Sequence, residues 1–248
     1  MSETNKENPE AEACACAGFR IEIAHPACTV AILGGGKGQR LAVRLNGSSK
    51  WLLEIKGRTI RDRQLAVLHP FADEMLFAGG DCNEADMLPE GIRCVPDILP
   101  VKGPMAGLHS ALVHASNDLV LVVPCDAPFL KKSVLQHLLQ LALTAPQAPA
   151  VVPRQADGFW MPLLAVYRRA CIPYMEALAS EGTPHVFRLF ERMQADGMMP
   201  VAPQVETLKA VDPELESFAN INTPDDLDAM QAGNTPSMPE LATRPKRW

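Results

Sequence analysis

A short apolar strand that runs directly into glycines sets the fold class of this sequence. Residues 29–33 are Thr-Val-Ala-Ile-Leu, and glycine occupies four of the five positions 34–38. An uninterrupted apolar run of this length is typical of a strand that is buried on both faces of a parallel sheet. The glycines allow the backbone to turn so that its N–H groups converge on an anion. The pattern therefore predicts a central strand followed by an anion-binding turn.

The rest of the chain alternates between strand-like and helix-like segments. Residues 119–123, Leu-Val-Leu-Val-Val, form a second apolar run. Other strands are predicted at 74–78, 92–95, 150–152 and 163–167, and helices at 59–68, 104–115, 131–143 and 170–179. Strands that alternate with helices form right-handed βαβ units. We therefore expect an α/β protein with a three-layer, Rossmann-like αβα architecture and a mostly parallel central sheet.

Two more helices are expected to begin at Thr-Pro pairs, with Thr183 and Thr223 as their capping residues. A hydroxyl at the cap and a proline at the first helical position are both favoured at helix starts. Asp225 and Asp226 would then complement the dipole of the second of these helices.

The length and composition predict one domain with short tails. The 248 residues, 47% of them hydrophobic, are enough to bury a sizeable core. We expect a flexible leader at 1–26, a single domain at 27–231 and a flexible tail at 232–248. No apolar run approaches the roughly 18 residues of a membrane span, and the first residues lack the pattern of a signal peptide. The sequence thus predicts a cytoplasmic protein with no membrane partner.

The seven cysteines are expected to be reduced thiols. Their number is odd, they are spread along the chain, and none forms a C-x-x-C pair. This spacing favours neither a disulfide framework nor a zinc site. Cys14 and Cys16 are alternative metal ligands, but they fall in the expected leader.

The charge pattern favours a small anionic ligand over nucleic acid. The net charge is −6, whereas nucleic-acid binding requires a broad positive surface. Positive charge is concentrated between residues 37 and 63, where there are eight Lys and Arg residues and two acidic ones. A local positive field of this kind suits a compact anion. A solvated helix and loop surface explains the same charges equally well.

The glycine turn carries its own cations, Lys37 and Arg40. It is not a P-loop, which would have glycine at Ala31 and a hydroxyl residue at Gly38, and it lacks the glycine spacing of a dinucleotide fingerprint. The alternative is a purely structural turn between a strand and a helix. The two nearby cations favour anion binding.

Two aspartates are expected at the same edge of the sheet as the glycine turn. Asp126 lies in the motif Pro-Cys-Asp-Ala-Pro-Phe at 124–129, directly after the second apolar run, and Asp97 follows the strand at 92–95. In open α/β sheets, ligands bind just beyond the carboxyl ends of the strands. Mg²⁺ at nucleotide sites is held by one or two carboxylates together with phosphates and waters, so Asp126 is the natural Mg²⁺ ligand. A helix cap is its alternative role.

The order of these motifs resembles that of the molybdenum cofactor guanylyltransferases, which are small nucleotidyltransferases with a Rossmann-like fold. The motifs are Leu-Gly-Gly-Gly-x-Gly-x-Arg at 33–40, Lys50, Asp97, Gly-Pro-x-Ala-Gly at 103–107, the motif at 124–129 and Asn-x-Asn-Thr-Pro at 220–224. The likeness covers about residues 29–230. It implies transfer of GMP from Mg-GTP to the phosphate of free or molybdenum-bound molybdopterin, with release of pyrophosphate. It also implies molybdoenzymes or other cofactor-biosynthesis proteins as partners.

The resemblance assigns roles to particular positions. It implies catalytic roles for Asp126, Lys50 and Arg40, with Mg²⁺ on Asp126. With the turn residues added, the predicted nucleotide-binding set comprises Leu33, Gly34, Gly35, Gly36, Lys37, Gly38, Lys50, Asp97, Gly103 and Asp126. Asn222 would line the second-substrate side. The helix pattern, not the resemblance, adds Arg188, which lies on a basic stripe after Thr183 and would guide the second substrate's phosphate. A solvated helix face is the alternative for that stripe, and Arg44 is the alternative to Lys50.

Two other functions remain open. One is a related enzyme with another substrate, such as a molybdopterin cytidylyltransferase or another small-molecule phosphate nucleotidyltransferase. The other is a nucleotide-binding module without catalysis that serves as a carrier for molybdoenzymes. The nine residues between Arg40 and Lys50, more than the family usually has, keep this second possibility open.

Overall fold

The computed structural model describes residues 27–34, 49–79, 82 and 88–234. Six strands form one sheet, and two short strands form a separate hairpin. The strands are β1 (Cys28–Leu33), β2 (Glu54–Ile55), β3 (Arg58–Thr59), β4 (Glu74–Ala78), β5 (Ile92–Val95), β6 (Leu119–Pro124), β7 (Ala150–Val151) and β8 (Ala165–Arg168). The helices are α1 (Ile60–Leu68), α2 (Pro104–His114), α3 (Lys132–Thr144), α4 (Ile172–Ser180), α5 (Val186–Ala195) and α6 (Pro224–Ala232).

The sheet has β1 at its centre, as the apolar run in the sequence predicted. The strand order is β5-β4-β1-β6-β8-β7. The first four strands are parallel, β8 runs antiparallel to β6, and β7 runs antiparallel to β8. Every residue of β1 and β6 is buried, which explains why neither strand alternates between polar and apolar residues.

Helices cover both faces of the sheet. In β1, Val30 and Ile32 belong to an apolar cluster that includes residues of α1, α3 and α6. Ala31 and Leu33 point to the other face and belong to a second cluster, which includes residues of α2, α4 and α5. The three-layer αβα architecture and the mostly parallel sheet are therefore confirmed.

Most predicted elements lie within one to three residues of their expected bounds, but the hairpin of β2 and β3 was missed. Lys56 and Gly57 form its turn, with φ angles of 51° and 73°. Two successive positive φ values are typical of the two-residue turns that join hairpin strands. The hairpin strands are too short to produce a strand signal in the sequence.

One predicted helix start is correct and the other is wrong. Thr223 caps α6 in a capping box, in which its hydroxyl accepts from Asp226 N–H at 3.2 Å and the Asp226 carboxylate accepts from Thr223 N–H at 2.8 Å. Thr183 does not cap α5, which begins at Val186 after His185. The Thr183 N–H instead donates to Leu178 O at 2.9 Å, so this residue completes the end of α4.

The expectation that all cysteines are reduced is wrong for one pair, because Cys82 and Cys94 form a disulfide. They are 12 positions apart in sequence, and the return of the chain from β4 to β5 brings their Cα atoms to 5.9 Å. No C-x-x-C spacing marks this pairing in the sequence. Cys28, Cys125 and Cys171 are buried thiols outside this disulfide, and burial raises the pKa of Cys28 and of Cys171 to about 12. Cys14 and Cys16 lie outside the described residues.

Several predictions about the chain ends concern residues outside the described ranges. The leader at 1–26 and the positions 235–248 of the tail are among them. Within the described ranges, every helix is too short or too polar to cross a membrane.

Candidate active site

The site is built at the carboxyl ends of the central strands. Leu33, the last residue of β1, pairs with Pro124, the last residue of β6. Beyond this pair, Gly34 N–H donates to Ala78 O at 2.8 Å and Cys125 N–H donates to Leu33 O at 3.0 Å. Gly34 and Cys125 therefore leave the sheet side by side. The chain crosses from one side of β1 to the other here, which is where open α/β sheets bind ligands.

Gly34 is required by packing against a buried aromatic ring. A Cβ atom at this position would overlap the Phe77 ring, which is 1% exposed and packs against Trp51 with 5.1 Å between ring centroids. The backbone directly after β1 can approach the Phe77 ring this closely only without a side chain. The other turn residues predicted to bind the nucleotide or to act in catalysis, namely Gly35, Gly36, Lys37, Gly38 and Arg40, lie outside the described residues.

Lys50 and Asp126 form an ion pair beside this edge of the sheet. Lys50 Nζ donates to Asp126 Oδ2 at 2.9 Å, and the two side chains are only 12% and 15% exposed. Lys50 Nζ also donates to the Ile221 carbonyl at 2.9 Å. Ile221 N–H in turn donates to Asp126 O at 3.0 Å. Three distant segments of the chain thus meet at one lysine.

Local structure explains how the two partners are held. Lys50 begins a 3-10 turn (Lys50–Leu52) in which the Ser49 hydroxyl accepts from Trp51 N–H at 3.4 Å. Trp51, the next residue, is 2% exposed, so it anchors the lysine backbone to the core. Asp126 lies between Cys125 and Ala127, which are both buried.

Asp97 and Gly103 lie at the same edge, on the far side of β4. Asp97 comes two residues after β5, and the next N–H, that of Ile98, donates to Ser110 Oγ in α2 at 3.1 Å. Gly103 has a φ of 103° and caps α2, with Pro104 as the first helical residue. The structure therefore places both residues between the end of β5 and the start of α2, at the carboxyl edge of the sheet.

The two residues predicted to contact the second substrate lie in different parts of the fold. Asn222 follows Ile221 directly, and its N–H donates to Asp226 Oδ2 at 2.9 Å. It is therefore held next to the carbonyl that accepts from Lys50. Arg188 is exposed on α5, in the opposite helical layer, and Arg192 on the same helix pairs with Glu181 at 3.3 Å. The structure does not bring Arg188 into the group formed by Lys50, Asp126 and Ile221.

Comparison with known protein families decides the family. A family model described as a MobA-like NTP transferase domain matches residues 30–196. The chain belongs to this family. The match covers residues 30–33 of β1 and the Lys50–Asp126 pair, and the chain is accordingly a nucleotidyltransferase.

Individual relatives agree with this MobA-like assignment. A molybdenum cofactor guanylyltransferase of Pseudomonas syringae pv. tomato is 32% identical over 83% of this chain and 94% of the relative. A protein of the same name from Pseudomonas paraeruginosa is also 32% identical, over 81% and 92%. Among solved structures, molybdopterin-guanine dinucleotide biosynthesis protein A from Archaeoglobus fulgidus superposes with a TM-score of 0.68 at 30% identity, covering 82% of this chain and 97% of that one. The nucleotidyltransferase fold is confirmed.

The donor set of this MobA-like site suits a magnesium ion that arrives with a nucleotide. Among the described residues, no group of three or more His, Cys, Asp or Glu side chains is close enough to form a metal cage. Mg²⁺ at nucleotide sites needs only one or two carboxylates, because phosphates and waters complete its octahedron. Asp126, partly buried and at the carboxyl edge of the sheet, meets that requirement.

Proposed function

We propose that this protein transfers GMP from Mg²⁺-bound GTP to the phosphate of molybdopterin, free or carrying molybdenum, and releases pyrophosphate. The observation that carries the proposal is the Lys50–Asp126 pair at the edge where the glycine turn leaves β1. The names of the relatives from Pseudomonas, which the chain matches over most of its length, support the choice of GTP and of the molybdenum cofactor.

The acceptor in this reaction needs no general base. A phosphate monoester has a second pKa of about 6 and is largely dianionic at neutral pH. One of its oxygens forms a bond to the α-phosphorus of GTP while the bond from that phosphorus to the bridging oxygen breaks. Pyrophosphate leaves with the electron pair, so no proton has to be removed from the nucleophile. The task left to the protein is to align two anions and to balance their charge.

Lys50 is placed to balance the charge of the phosphates. An ammonium group has three N–H donors, and in the described part of the chain two of them bond to Asp126 and Ile221. The third can donate to a phosphate oxygen without breaking either bond. Asp126 would hold Mg²⁺, which when bound neutralises charge on the phosphates. The Asn222 N–H is held by Asp226, and in this proposal the second substrate approaches from the side of Asn222.

A nucleotide panel tests the proposal. The purified protein is incubated with Mg²⁺, molybdopterin and each of GTP, CTP, ATP or UTP, and pyrophosphate release is measured, with chelated Mg²⁺ and omitted molybdopterin as controls. Release with GTP alone, dependent on both Mg²⁺ and molybdopterin, is the expected result. Release with CTP alone would contradict the proposal in favour of a cytidylyltransferase. Tight GTP binding without release would favour a nucleotide-binding module.

A further inference from the structure

Gln64 is a polar residue in a position where helix α1 otherwise contributes apolar side chains to the core. It lies on one helical stripe with Ile60 and Leu68, which are both fully buried, and it is itself 1% exposed. Residues four positions apart on a helix face the same way, so an apolar residue is expected here. A buried amide persists in such a place only when its hydrogen bonds are made.

The Gln64 amide uses both of its N–H donors, and its oxygen accepts one hydrogen bond. Its oxygen accepts from Trp51 Nε1–H at 2.9 Å. Its nitrogen donates to Pro124 O and to Ala127 O, each at 2.8 Å. The orientation of the amide is determined by these partners, because an indole N–H can only donate and the two carbonyls can only accept.

These three bonds reach both sides of the ion pair. Trp51 is the residue after Lys50, and Pro124 and Ala127 are on either side of the Cys125-Asp126 segment. Gln64 therefore connects the backbone that carries the lysine to the backbone that carries the aspartate. Lys50 and Asp126 are 76 positions apart in sequence, and Gln64 joins their segments through a single side chain.

We propose that Gln64 is a positioning residue for nucleotidyl transfer, holding Lys50 and Asp126 at the separation that the reaction requires. The proposal rests on the function proposed above, in which these two residues act on the phosphates. Misplacement of a reacting group by about 1 Å costs on the order of 10²-fold in rate, so a side chain that fixes two such groups affects turnover without touching a substrate.

The main test replaces Gln64 by methionine, which keeps the length of the side chain and removes the amide. Gln140→Met, at an exposed position of α3, is the matched control. We expect Gln64→Met to lower kcat about 10- to 100-fold, with a much smaller change in KM for GTP, at a temperature where circular dichroism shows the variant folded. Gln140→Met should retain the kcat of the original protein. An unchanged kcat in folded Gln64→Met would overturn the proposal.

A second variant separates positioning from simple loss of stability. In Gln64→Glu, burial raises the pKa of the introduced carboxyl. The protonated form can still accept from Trp51 and donate to one of the two carbonyls, whereas the ionised form donates to neither. Its kcat, relative to that of the original protein, should rise as the pH is lowered from about 8 to about 6. A pH-independent ratio would contradict the role of the amide donors.

A measurement that does not depend on catalysis tests the role of Gln64 separately from the proposed function. The rate at which acetic anhydride modifies Lys50 is compared with that of exposed lysines by mass spectrometry. Gln64→Met should raise the Lys50 rate severalfold and Gln140→Met should not, because only the first loosens the lysine from Asp126. An unchanged Lys50 rate would overturn the positioning role even if the enzyme is active. A raised rate in a protein that releases no pyrophosphate would leave the Lys50–Asp126 link supported and the proposed function refuted.

Discussion

Replacing Asp126 by asparagine removes the charge of the ion pair while keeping the size of the side chain. The partner, Lys50, is 12% exposed and would keep its bond to the Ile221 carbonyl. An asparagine oxygen can still accept from the ammonium, so what is lost is the attraction between the two opposite charges. This attraction amounts to about 1–2 kcal/mol of folding stability. A folded protein of this size has about 5–15 kcal/mol, so Asp126→Asn should remain folded.

The effect of Asp126→Asn on catalysis should be larger than its effect on stability. Loss of one transition-state electrostatic contact lowers turnover by at least about 10²-fold, which corresponds to about 2.7 kcal/mol. Urea unfolding measures the effect on stability, and pyrophosphate release with GTP, Mg²⁺ and molybdopterin measures the effect on catalysis. Asp196→Asn, an exposed change at the end of α5, is the matched control and should alter neither quantity. Near-normal turnover of Asp126→Asn would refute the role assigned to the carboxylate.

Three further predictions concern stability. Gly34→Ala should lower the free energy of unfolding by about 1–3 kcal/mol because the added Cβ meets the buried Phe77 ring. Gly107→Ala is the control, since its Cβ would make an ordinary 3.4 Å contact and should not destabilise the protein. Equal unfolding curves for the two variants would contradict the packing argument. Proteolytic digestion without reductant should yield linked peptides that contain Cys82 and Cys94. Cys94→Ser should lower the free energy of unfolding by about 3 kcal/mol, under oxidising conditions only. Alkylation of both thiols without reduction would exclude the disulfide. Burial alone would raise the pKa of Glu74, but hydrogen bonds from Ser116, Arg93 and Thr29 lower this pKa below its usual value. The ionised carboxylate therefore stabilises the fold above pH about 4.3, and this stabilisation is lost as the pH falls through the lowered pKa. The stability difference between the original protein and Glu74→Gln should therefore shrink in acid, and a constant difference would contradict this assignment.

The sheet could be predicted from the sequence because each buried strand is marked by residues that are adjacent in the chain. The fully buried strands β1 and β6 are continuous apolar runs, and the glycines after β1 mark where the strand must end. The Thr223 cap could be predicted as well, since all of its atoms lie within four consecutive residues, although the structure adds the return bond from Thr223 N–H to Asp226. Thr183 is also followed by proline, but its N–H bonds to the end of the preceding helix α4. Only the packing of α4 and α5 decides whether such a residue ends one helix or caps the next.

The contacts that complete the site could not be predicted, because they join distant parts of the chain. Lys50 was singled out by resemblance alone, and nothing near it in sequence indicates that Ile221 O accepts from it. Gln64 looks like an ordinary helical glutamine until its carbonyl partners, about 60 positions away, are known. The Cys82–Cys94 disulfide was missed for the same reason, since the loop that closes it has no recognisable spacing.

A crystal structure with GTP and Mg²⁺ tests most directly whether the glycine turn, Lys50 and Asp126 surround one triphosphate. The account predicts a phosphate oxygen within hydrogen-bonding distance of Lys50 Nζ, the metal ion on Asp126 and the guanine beside the backbone that follows β1. A triphosphate bound elsewhere, or Lys50 and Asp126 still directed only at each other and at Ile221 with the nucleotide present, would contradict it.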